Sequence, residues 1–549
     1  MIRKTILPLL FMLASCLTST SQTTPAINNA LKAINPDGIK ASMTFLSDDL
    51  LEGRQPGTRG FAVASKYVET QFMALGLKPG VDGKSYIQKV PLQKGTIEES
   101  GCGFSIINNG ETEALGYGKD YVMSPYYFNE TASVKAPLAF AGFGISAPDL
   151  GYDDYKDLDV KGKIVVVIDQ APETFPSNER AYFTSRDAKF AEAIKRGAVG
   201  FIGFSMPDNS RTSWVATVRR GKQGAFRWVD PQGKPANAYE GLKSVSTMNY
   251  TSAKKLFANS GKIIGEVYTQ IKSGKPLSFD LGLSADLKVS TKFQFVDGSN
   301  LVGIIPGSDP KLKDEYVVYA AHVDHFGIGA AVNGDSLYNG AHDNASGPSI
   351  LLQIAAAYKA LPAAPKRSVL FTVVTAEEYG LLGSDYFISN LPGIKKENVV
   401  ANLSIDMPFF FHPVLDIVPY GYQHSSLSKQ VDAATKVLKL KISPDPFPEQ
   451  VVFIRSDHFS FIKKGVPALF IKSGFMTVAS DTVDRSKSDV AWRSTIYHTP
   501  KDDMNQAFDF DGGATHAKVN FLIGYYVSTE TARPTWNKGD FFGKRFSGK

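Results

Sequence analysis

The chain has 549 residues, of which 43% are hydrophobic and 21% charged, which is ordinary for a folded protein. This length exceeds what one hydrophobic core usually organises, so we expect two or more domains. The formal net charge of +6 is small and there is no long basic run, so nucleic-acid binding has no support beyond a mildly high pI.

The first sixteen residues have the pattern of an export signal. "MIRK" supplies two positive charges, and the apolar run "TILPLLFMLA" comes next. This run is too short to span a bilayer as a mature helix, and it ends in "LASC". The small residues before Cys16 resemble a bacterial lipobox, which predicts a lipidated, membrane-anchored Cys16; a plain secretory signal is the alternative. We assign residues 1–23 to a lipoprotein-type signal peptide and polar tether. The protein is expected to be extracytoplasmic, as an outer-membrane lipoprotein, periplasmic or secreted.

Cys102 is the only other cysteine in the chain. If Cys16 is lipidated, no intramolecular disulfide can form and a zinc site built from cysteines is excluded. Any metal ion must then be held by histidine and carboxylate side chains.

Residues 24–135 are predicted to form the N-terminal part of a catalytic domain. The pattern predicts helices over 38–50 and 60–76, separated by the glycine-rich, charged loop "LLEGRQPGTRG". After "GLKPG" the chain is rich in β-strand formers up to about residue 135.

Residues 136–285 read as an inserted, β-rich α/β domain. The apolar run at 162–170 predicts a buried strand, 186–198 a helix and 199–205 a second strand. This order resembles the protease-associated domain, although many α/β units share it.

Residues 286–530 alternate apolar strands with helical patterns such as 347–361, and residues 531–549 are assigned to a C-terminal tail. The candidate strands are "LVGIIPG", "YVVYAAH", "SVLFTVVTAEE", "NVVANLSIDM" and "VPALFIKSG". Strands this apolar, separated by amphipathic helices, predict an α/β sheet covered on both faces.

Acids and a histidine stand at the ends of three of these strands: His322 with Asp324, the pair Glu377 and Glu378, and Asp406. Ligands of open α/β sheets bind outside the carboxyl ends of the strands, so these side chains are expected to meet. Each residue also has an ordinary structural interpretation. The histidine could be a hydrogen-bonded surface or core residue, the glutamate pair a solvated helix start, and Asp406 a helix N-cap. Together they form a carboxylate cluster, which needs a cation or a proton to compensate it.

The supply of ligands suits zinc. Imidazole and carboxylate without thiolate are typical of a catalytic, water-bearing zinc site. Two histidines and three acids exceed the need of one ion but suit two, if one carboxylate bridges them. Either Glu377 or Glu378 would then be free to accept a proton from the water.

Five motifs, in this order, resemble those of the di-zinc aminopeptidases, the secreted exopeptidases of bacteria that are distantly related to glutamate carboxypeptidase and the transferrin receptor. They are "AHVDHFG", "GAHDNASG", "TAEEYGLLGS", "SIDM" and "YHTPKDD", which cover about 322 to 503. The resemblance implies a mixed, mostly parallel α/β sheet sandwiched by helices, with a protease-associated insert. It also implies two Zn²⁺ ions per chain and peptide substrates.

Position by position, the resemblance implies that His322 and Asp406 hold one zinc ion and that Glu378 and His498 hold the other. Asp343 would bridge the two ions. In relatives the peptide bond after the bridging aspartate is cis, so the Asp343–Asn344 bond is expected to be cis.

The resemblance also assigns the residues that act on the substrate. Glu377 matches the general base, Asp324 the acid that orients the His322 imidazole, and Tyr497 a tyrosine that polarises the tetrahedral intermediate. "FIRSDHFSF" resembles a segment that lines the substrate pocket, which would place Arg455 near the peptide. The alternative is a helix start capped by Ser456 or Asp457.

Two further histidines have weaker assignments. His342 stands where the family often has an acid, and is expected at the surface or beside the ligands rather than on a metal. His325 is expected to have a structural or supporting role.

The function implied is hydrolysis of N-terminal residues from peptides by water activated between two zinc ions. A carboxypeptidase or dipeptidase on the same fold is an alternative, and a single-zinc glutaminyl cyclase a weaker one because all five ligands and the insert are present. A non-catalytic binding protein like the transferrin receptor is a third alternative, against which the intact ligands and base argue.

Overall fold

The structure, a computed structural model, describes residues 24–207 and 213–548. The predicted signal peptide and Cys16 lie outside the described residues. Within the described ranges, no helix is both long and apolar enough to cross a membrane.

Two sheets share one long strand, Ser278–Ile305. Its first part pairs with Thr131–Ala141 in one sheet, and its second part pairs with Ile87–Ile97 in the other. Continuous backbone therefore joins the two bodies of the molecule.

The first body is built on the sheet that bears the strand-end acids. From edge to edge its strands are Ala225–Trp228, Ile87–Ile97, Ser278–Ile305, Ser368–Val374, Tyr316–His322, Val399–Ser404, Ala468–Ser473, Asp416–Tyr420 and Lys441–Ile442, with the short Lys78–Pro79 beside Ser278–Ile305. The four central strands, Ser368–Val374 to Ala468–Ser473, run parallel, and antiparallel strands flank them. The five predicted strands and the mixed α/β sheet are confirmed.

Helices cover both faces of this sheet. They are Pro25–Lys32, Pro36–Leu46, Arg59–Ala74, Ser346–Lys359, Leu382–Ser389, Ser428–Leu438, His458–Ile462, Arg485–Thr495, Phe510–Thr529 and Phe541–Phe546. On the central strand, Val317 and Tyr319 pack into the core on one face, whereas Val318 and Ala320 pack into the core on the other. Burial on both faces explains why these strands read as continuous apolar runs.

The local sequence sets the ends of the early helices. Asn35 caps Pro36–Leu46 through the N–H of Asp37, and Thr58 caps Arg59–Ala74. The first of these helices ends four residues earlier than predicted, because Asp48 caps a separate 3₁₀ turn, Asp49–Arg54, through the N–H of Leu50.

The second body contains most of the residues predicted as the insert, 136–285, but its sheet begins earlier, at Gly103. Its strands, in order across the sheet, are Glu111–Ala114, Gly103–Asn108, the first part of Ser278–Ile305, Thr131–Ala141, Ile164–Ile168, Gly200–Phe204, Ser244–Met248 and Tyr121–Met123. Its helices are Ser177–Thr184, Arg186–Lys195, Trp214–Lys222, Tyr250–Ala253 and Ile264–Lys272. The predicted strand, helix and strand between 162 and 205 are confirmed.

Candidate metal centre

The carboxyl ends of the central parallel strands converge on one edge of the sheet. His322 ends its strand in register with Val374, and Ser404, two residues before Asp406, pairs with Ala320. Glu377 and Glu378 follow Val374 by three and four residues. The three predicted strand ends therefore meet at the carboxyl edge of the sheet, where open α/β sheets bind their ligands.

A first ligand set gathers around His322. Its Nε2 lies 3.5 Å from Oδ1 of Asp343 and 3.5 Å from Oδ1 of Asp406, and all three residues are buried. Neither His322 Nε2 nor Asp406 Oδ1 has a hydrogen-bond partner within the described ranges. Ligands of a tetrahedral zinc ion at about 2.1 Å lie roughly 3.4 Å apart, so this set fits one such ion.

A second ligand set gathers around His498. Its Nε2 lies 3.0 Å from Oδ2 of Asp343 and 3.1 Å from Oε2 of Glu378. The two oxygens of Asp343 therefore face different ligand sets. A carboxylate in this position can bridge two cations, as the resemblance implies for Asp343.

His325 supports the second set. Its Nδ1 lies 2.6 Å from Oε1 of Glu378, on the opposite side of that carboxylate from His498. Its position would also allow it to join Asp343 and Glu378 around an ion. Because its Nδ1 already bonds to Glu378, we assign it to orienting that carboxylate, which is the supporting role expected from the sequence.

Asp502, which sequence reasoning did not single out, fixes the backbone at Asp343. Its two carboxylate oxygens accept hydrogen bonds of 2.9 Å from the N–H groups of His342 and Asp343. The peptide bond between Asp343 and Asn344 is cis, as expected. The Asn344 side chain then bonds to the N–H of Met407 at 3.2 Å, which ties this turn to the loop of Asp406.

Asp324 contacts the turn of Glu377 and Glu378 more closely than it contacts the His322 imidazole. Its carboxylate accepts hydrogen bonds from the backbone N–H groups of Glu377 (3.1 Å) and Glu378 (3.4 Å). Its Oδ1 lies 3.8 Å from Nδ1 of His322, which is too long for a hydrogen bond, and Nδ1 instead lies 3.3 Å from the Asp324 carbonyl oxygen. Asp324 therefore positions the Glu377–Glu378 turn as well as the imidazole.

Arg54 is a buried cation behind the site, in a loop where the sequence suggested only a connection. Its guanidinium donates to the carbonyl oxygens of Val323 at 2.7 Å, Asn339 at 2.5 Å and Gly340 at 3.0 Å, and also to that of Leu46. It thereby joins the loop that follows His322 to the loop that precedes Asp343. Burial lowers the pKa of Arg54 to about 10, although Asp324, Asp502, Asp343 and Glu378 act in the opposite direction.

The two neighbouring glutamates differ in their electrostatics. Burial raises the pKa of Glu377 well above its usual value; His322 lowers it and Asp406 adds to the rise. Burial acts on Glu378 too, but His498 and His325 hold the pKa of its carboxyl well below its usual value. Glu377 therefore has the higher proton affinity, which suits a proton acceptor, while Glu378 stays ionised, which suits a ligand.

Tyr497, Arg455 and Arg220 form the solvent-facing rim of the site. The Tyr497 ring stacks on His498 with 3.6 Å between ring centres, and its hydroxyl accepts a 2.9 Å hydrogen bond from exposed Arg455. The helix start predicted as the alternative is also present, because His458–Ile462 begins directly after Asp457, although the Asp457 side chain makes no capping bond to it.

The insert also reaches the rim. Arg220, on the insert helix Trp214–Lys222, places Nη2 2.8 Å from Nδ1 of His498. The sequence gave no indication of this contact, because 278 residues separate the two partners. The insert therefore forms one wall of the site.

The expectation of a surface position for His342 is wrong. The residue is fully buried, and neither ring nitrogen has a hydrogen-bond partner within the described ranges. Its ring is surrounded by aromatic side chains, those of Phe409, Phe410, Phe411, Trp492 and Phe508. Burial holds its pKa well below the usual value, so His342 is a neutral member of an aromatic cluster.

Comparison with known proteins agrees with this geometry. Residues 300–521 match the sequence profile described as Peptidase family M28. "Aminopeptidase NAALADL1" from Rattus norvegicus is 24% identical over 338 residues, covering 54% of this chain and 42% of its own length. "Leupeptin-inactivating enzyme 1" from Streptomyces exfoliatus is 33% identical over 110 residues, covering 20% of this chain and 22% of its own length. The chain thus spans less than half the length of these two curated relatives.

A solved structure extends the likeness to both bodies. The aminopeptidase from Aneurinibacillus sp. strain AM-1 superposes with a TM-score of 0.54, covering 92% of this chain and 97% of its own, at 18% identity. The overall fold is therefore shared.

Replacing Arg54 with Met should loosen the site without touching a metal ligand. Four backbone carbonyls lose a buried cationic donor, so we expect a loss of about 3–5 kcal/mol in the free energy of unfolding. Metal affinity should also fall by about 10- to 100-fold. Thermal unfolding and metal titration measure the two effects. The exposed Arg59 supplies the control, Arg59→Met; equal effects of the two substitutions would refute the role of Arg54.

Proposed function

We propose that the protein is a zinc-dependent aminopeptidase, because residues 300–521 match the profile of Peptidase family M28 and two ligand sets meet at the sheet edge. It would hydrolyse N-terminal residues from peptides. The observation that carries the proposal is the placement of Asp343, whose two oxygens face His322 and His498 at 3.5 and 3.0 Å.

The residues present fit two zinc ions. His322 and Asp406 would hold one ion, Glu378 and His498 the other, with Asp343 shared between them. The buried nitrogens of both histidines, without hydrogen-bond partners within the described ranges, suit this purpose. When bound, a zinc pair supplies Lewis-acid activation of a water molecule and of the peptide carbonyl.

The side chains of this chain account for the proton transfers. Glu377, buried and of raised proton affinity, accepts the proton of the attacking water and passes it to the leaving amine. The Tyr497 hydroxyl accepts a bond from Arg455, so its own proton is free for the oxyanion that forms on the carbonyl. Exposure of Arg455 at the rim gives the peptide access to this pair.

We further propose that the insert is a protease-associated domain that shapes access to the active site. The contact between Arg220 and His498 supports such a role, because it brings the insert to a metal ligand. We also propose that the protein is an extracytoplasmic lipoprotein anchored through Cys16, on the evidence of the N-terminal sequence alone.

A hydrolysis panel tests the proposed function. Aminoacyl p-nitroanilides should be cleaved, a chelator should abolish cleavage, and added zinc should restore it. Cleavage confined to N-blocked peptides with a free C-terminus would instead establish a carboxypeptidase. No cleavage of any peptide by zinc-loaded protein would establish a binding protein.

Substitutions separate the base from the bridge. Glu377→Gln should lower turnover by about 10²- to 10⁴-fold while the zinc content stays at about two ions per chain. Asp343→Ala should lose zinc as well as activity, because both ligand sets lose an oxygen. Elemental analysis and kinetics measure the two outcomes. The exposed Glu397 provides the control, Glu397→Gln. Full activity in Glu377→Gln, or unchanged zinc in Asp343→Ala, would overturn the corresponding assignment.

A further inference from the structure

Arg220 brings a cation of the insert into contact with a proposed metal ligand. Its Nη2 lies 2.8 Å from Nδ1 of His498, and its guanidinium carbon lies 5.8 Å from the centre of the Phe326 ring, which packs against His498 in turn. A guanidinium carries only N–H donors, so Nδ1 of His498 is the hydrogen-bond acceptor in this contact. The contact therefore sets which nitrogen of the imidazole ring carries the proton.

The position of that proton decides how a neutral histidine can bind a metal ion. A neutral imidazole has one N–H and one lone pair, so an Nδ1 that accepts from Arg220 leaves the proton on Nε2. Nε2 of His498 is the atom that faces Asp343 at 3.0 Å and Glu378 at 3.1 Å in the second ligand set. A histidine that binds zinc through Nε2 needs its lone pair there and its N–H at Nδ1. Arg220 and a zinc ion therefore make opposite demands on the same ring.

The histidine of the first ligand set has a different partner. Nδ1 of His322 lies 3.3 Å from the carbonyl oxygen of Asp324, an acceptor that leaves the lone pair of Nε2 available to a metal ion. Metal-binding histidines ordinarily donate their second N–H to a carboxylate, a backbone carbonyl or water. His322 follows this arrangement, whereas His498 faces a cationic donor. The two ligand sets thus differ in the group behind the histidine, although they share Asp343.

The charge of Arg220 adds to this difference. Among residues 24–207 and 213–548, no carboxylate oxygen lies within 4.0 Å of its guanidinium. A cation this close to His498 raises the electrostatic cost of a divalent ion on the same ring. Arg220 thus opposes a metal ion at His498 both through the ring proton and through its charge.

The helix that carries Arg220 is joined to both bodies of the molecule. At its start, Nε1 of Trp214 donates a 2.9 Å hydrogen bond to the carbonyl oxygen of Gly118, which lies in the chain between two strands of the second body. Shortly after its end, the strand Ala225–Trp228 pairs with Ile87–Ile97 in the first body. The position of Arg220 therefore depends on how the two bodies are held together.

We propose that Arg220 competes with zinc for His498, so that the second ligand set binds its ion more weakly than the first and the insert controls how fully that set is occupied. The inference rests on the proposed two-zinc function and adds a regulator to it. By thermodynamic linkage, the contact weakens zinc binding by the same factor by which zinc weakens the contact.

Zinc titration of the full-length protein against a competing chelator tests the inference. The wild type should show two dissociation constants. In Arg220→Met the larger constant should fall by about 10- to 100-fold, because the donor at Nδ1 is gone, while the smaller one is unchanged. Arg220→Gln should lower the larger constant as well, because the side-chain oxygen can accept a bond from the Nδ1–H group. If both substitutions weaken the second ion instead, Arg220 supports the ligand and the inference is overturned.

Ligand substitutions show which set responds. In an Asp406→Ala background, which leaves the second ligand set whole, Arg220→Met should still tighten zinc binding. In a Glu378→Ala background, which leaves the first set whole, it should have no effect, and an equal gain there would contradict the inference. Arg219→Met, on the same helix, removes an equal charge and is the matched control. An equal gain from Arg219→Met would show general repulsion rather than competition for His498, which also overturns the inference.

A second measurement follows the helix instead of the metal ion. At a zinc concentration that fills both sets, backbone hydrogen exchange in Trp214–Lys222 of the wild type should increase, because the guanidinium loses its contact with His498. This increase should be absent in Arg220→Met. Unchanged exchange of the helix in the wild type at zinc saturation would refute the competition.

The outcomes also separate this inference from the function on which it rests. Two zinc ions bound with the same constants by wild type and Arg220→Met overturn the inference, while the aminopeptidase function stands. Failure of every variant, the wild type included, to bind zinc refutes the proposed function itself.

Discussion

The arrangement of the site depends on one constraint, the fixed direction of the two oxygens of Asp343. A carboxylate can serve two ligand sets only if its plane is held between them, and here Oδ1 faces His322 while Oδ2 faces His498. The surroundings hold that plane through the backbone, because Asp502 binds the N–H groups of His342 and Asp343. Rigid support of this kind allows a metal site to form with little rearrangement.

The same region must also tolerate an unusual density of buried negative charge. The acids of the two ligand sets lie close to three further acids, Glu377, Asp324 and Asp502. A cluster of this kind would be unstable if nothing compensated its negative charge. Arg54 offsets part of the charge from behind, and its four carbonyl acceptors make it a structural tie as well. The histidines offset more from within, since His325 and His498 together hold Glu378 ionised. Two zinc ions would complete the compensation.

The sequence predicted the strands and the chemistry of the ligands because both are local properties. An apolar run that ends in His322 or Asp406 is visible in a dozen residues, and the parallel-sheet rule then brings such ends to one edge. The motifs also placed Asp343 and His498 correctly beside those ends. The cis bond at Asp343 was expected only from the resemblance.

The supporting residues could not be found in the same way, because their roles arise from packing between distant segments. Arg54 lies in what the sequence presents as a polar loop, yet it is fully buried. The contact of Arg220 with His498 depends on how the insert is placed against the sheet, which no local pattern encodes. His342 was expected at the surface or beside the ligands, but five aromatic rings from later in the chain enclose it. Even Asp502, within the last motif, had no local signal that its carboxylate faces a backbone 160 residues earlier.

The central claim is that one carboxylate, Asp343, joins two metal sites. Anomalous diffraction from crystals of the zinc-loaded protein, recorded on both sides of the zinc absorption edge, tests it most directly. The account predicts two peaks about 3.5–4 Å apart, one beside His322 and Asp406 and one beside Glu378 and His498, with Asp343 between them. A single peak, or two peaks of which only one contacts Asp343, would contradict it.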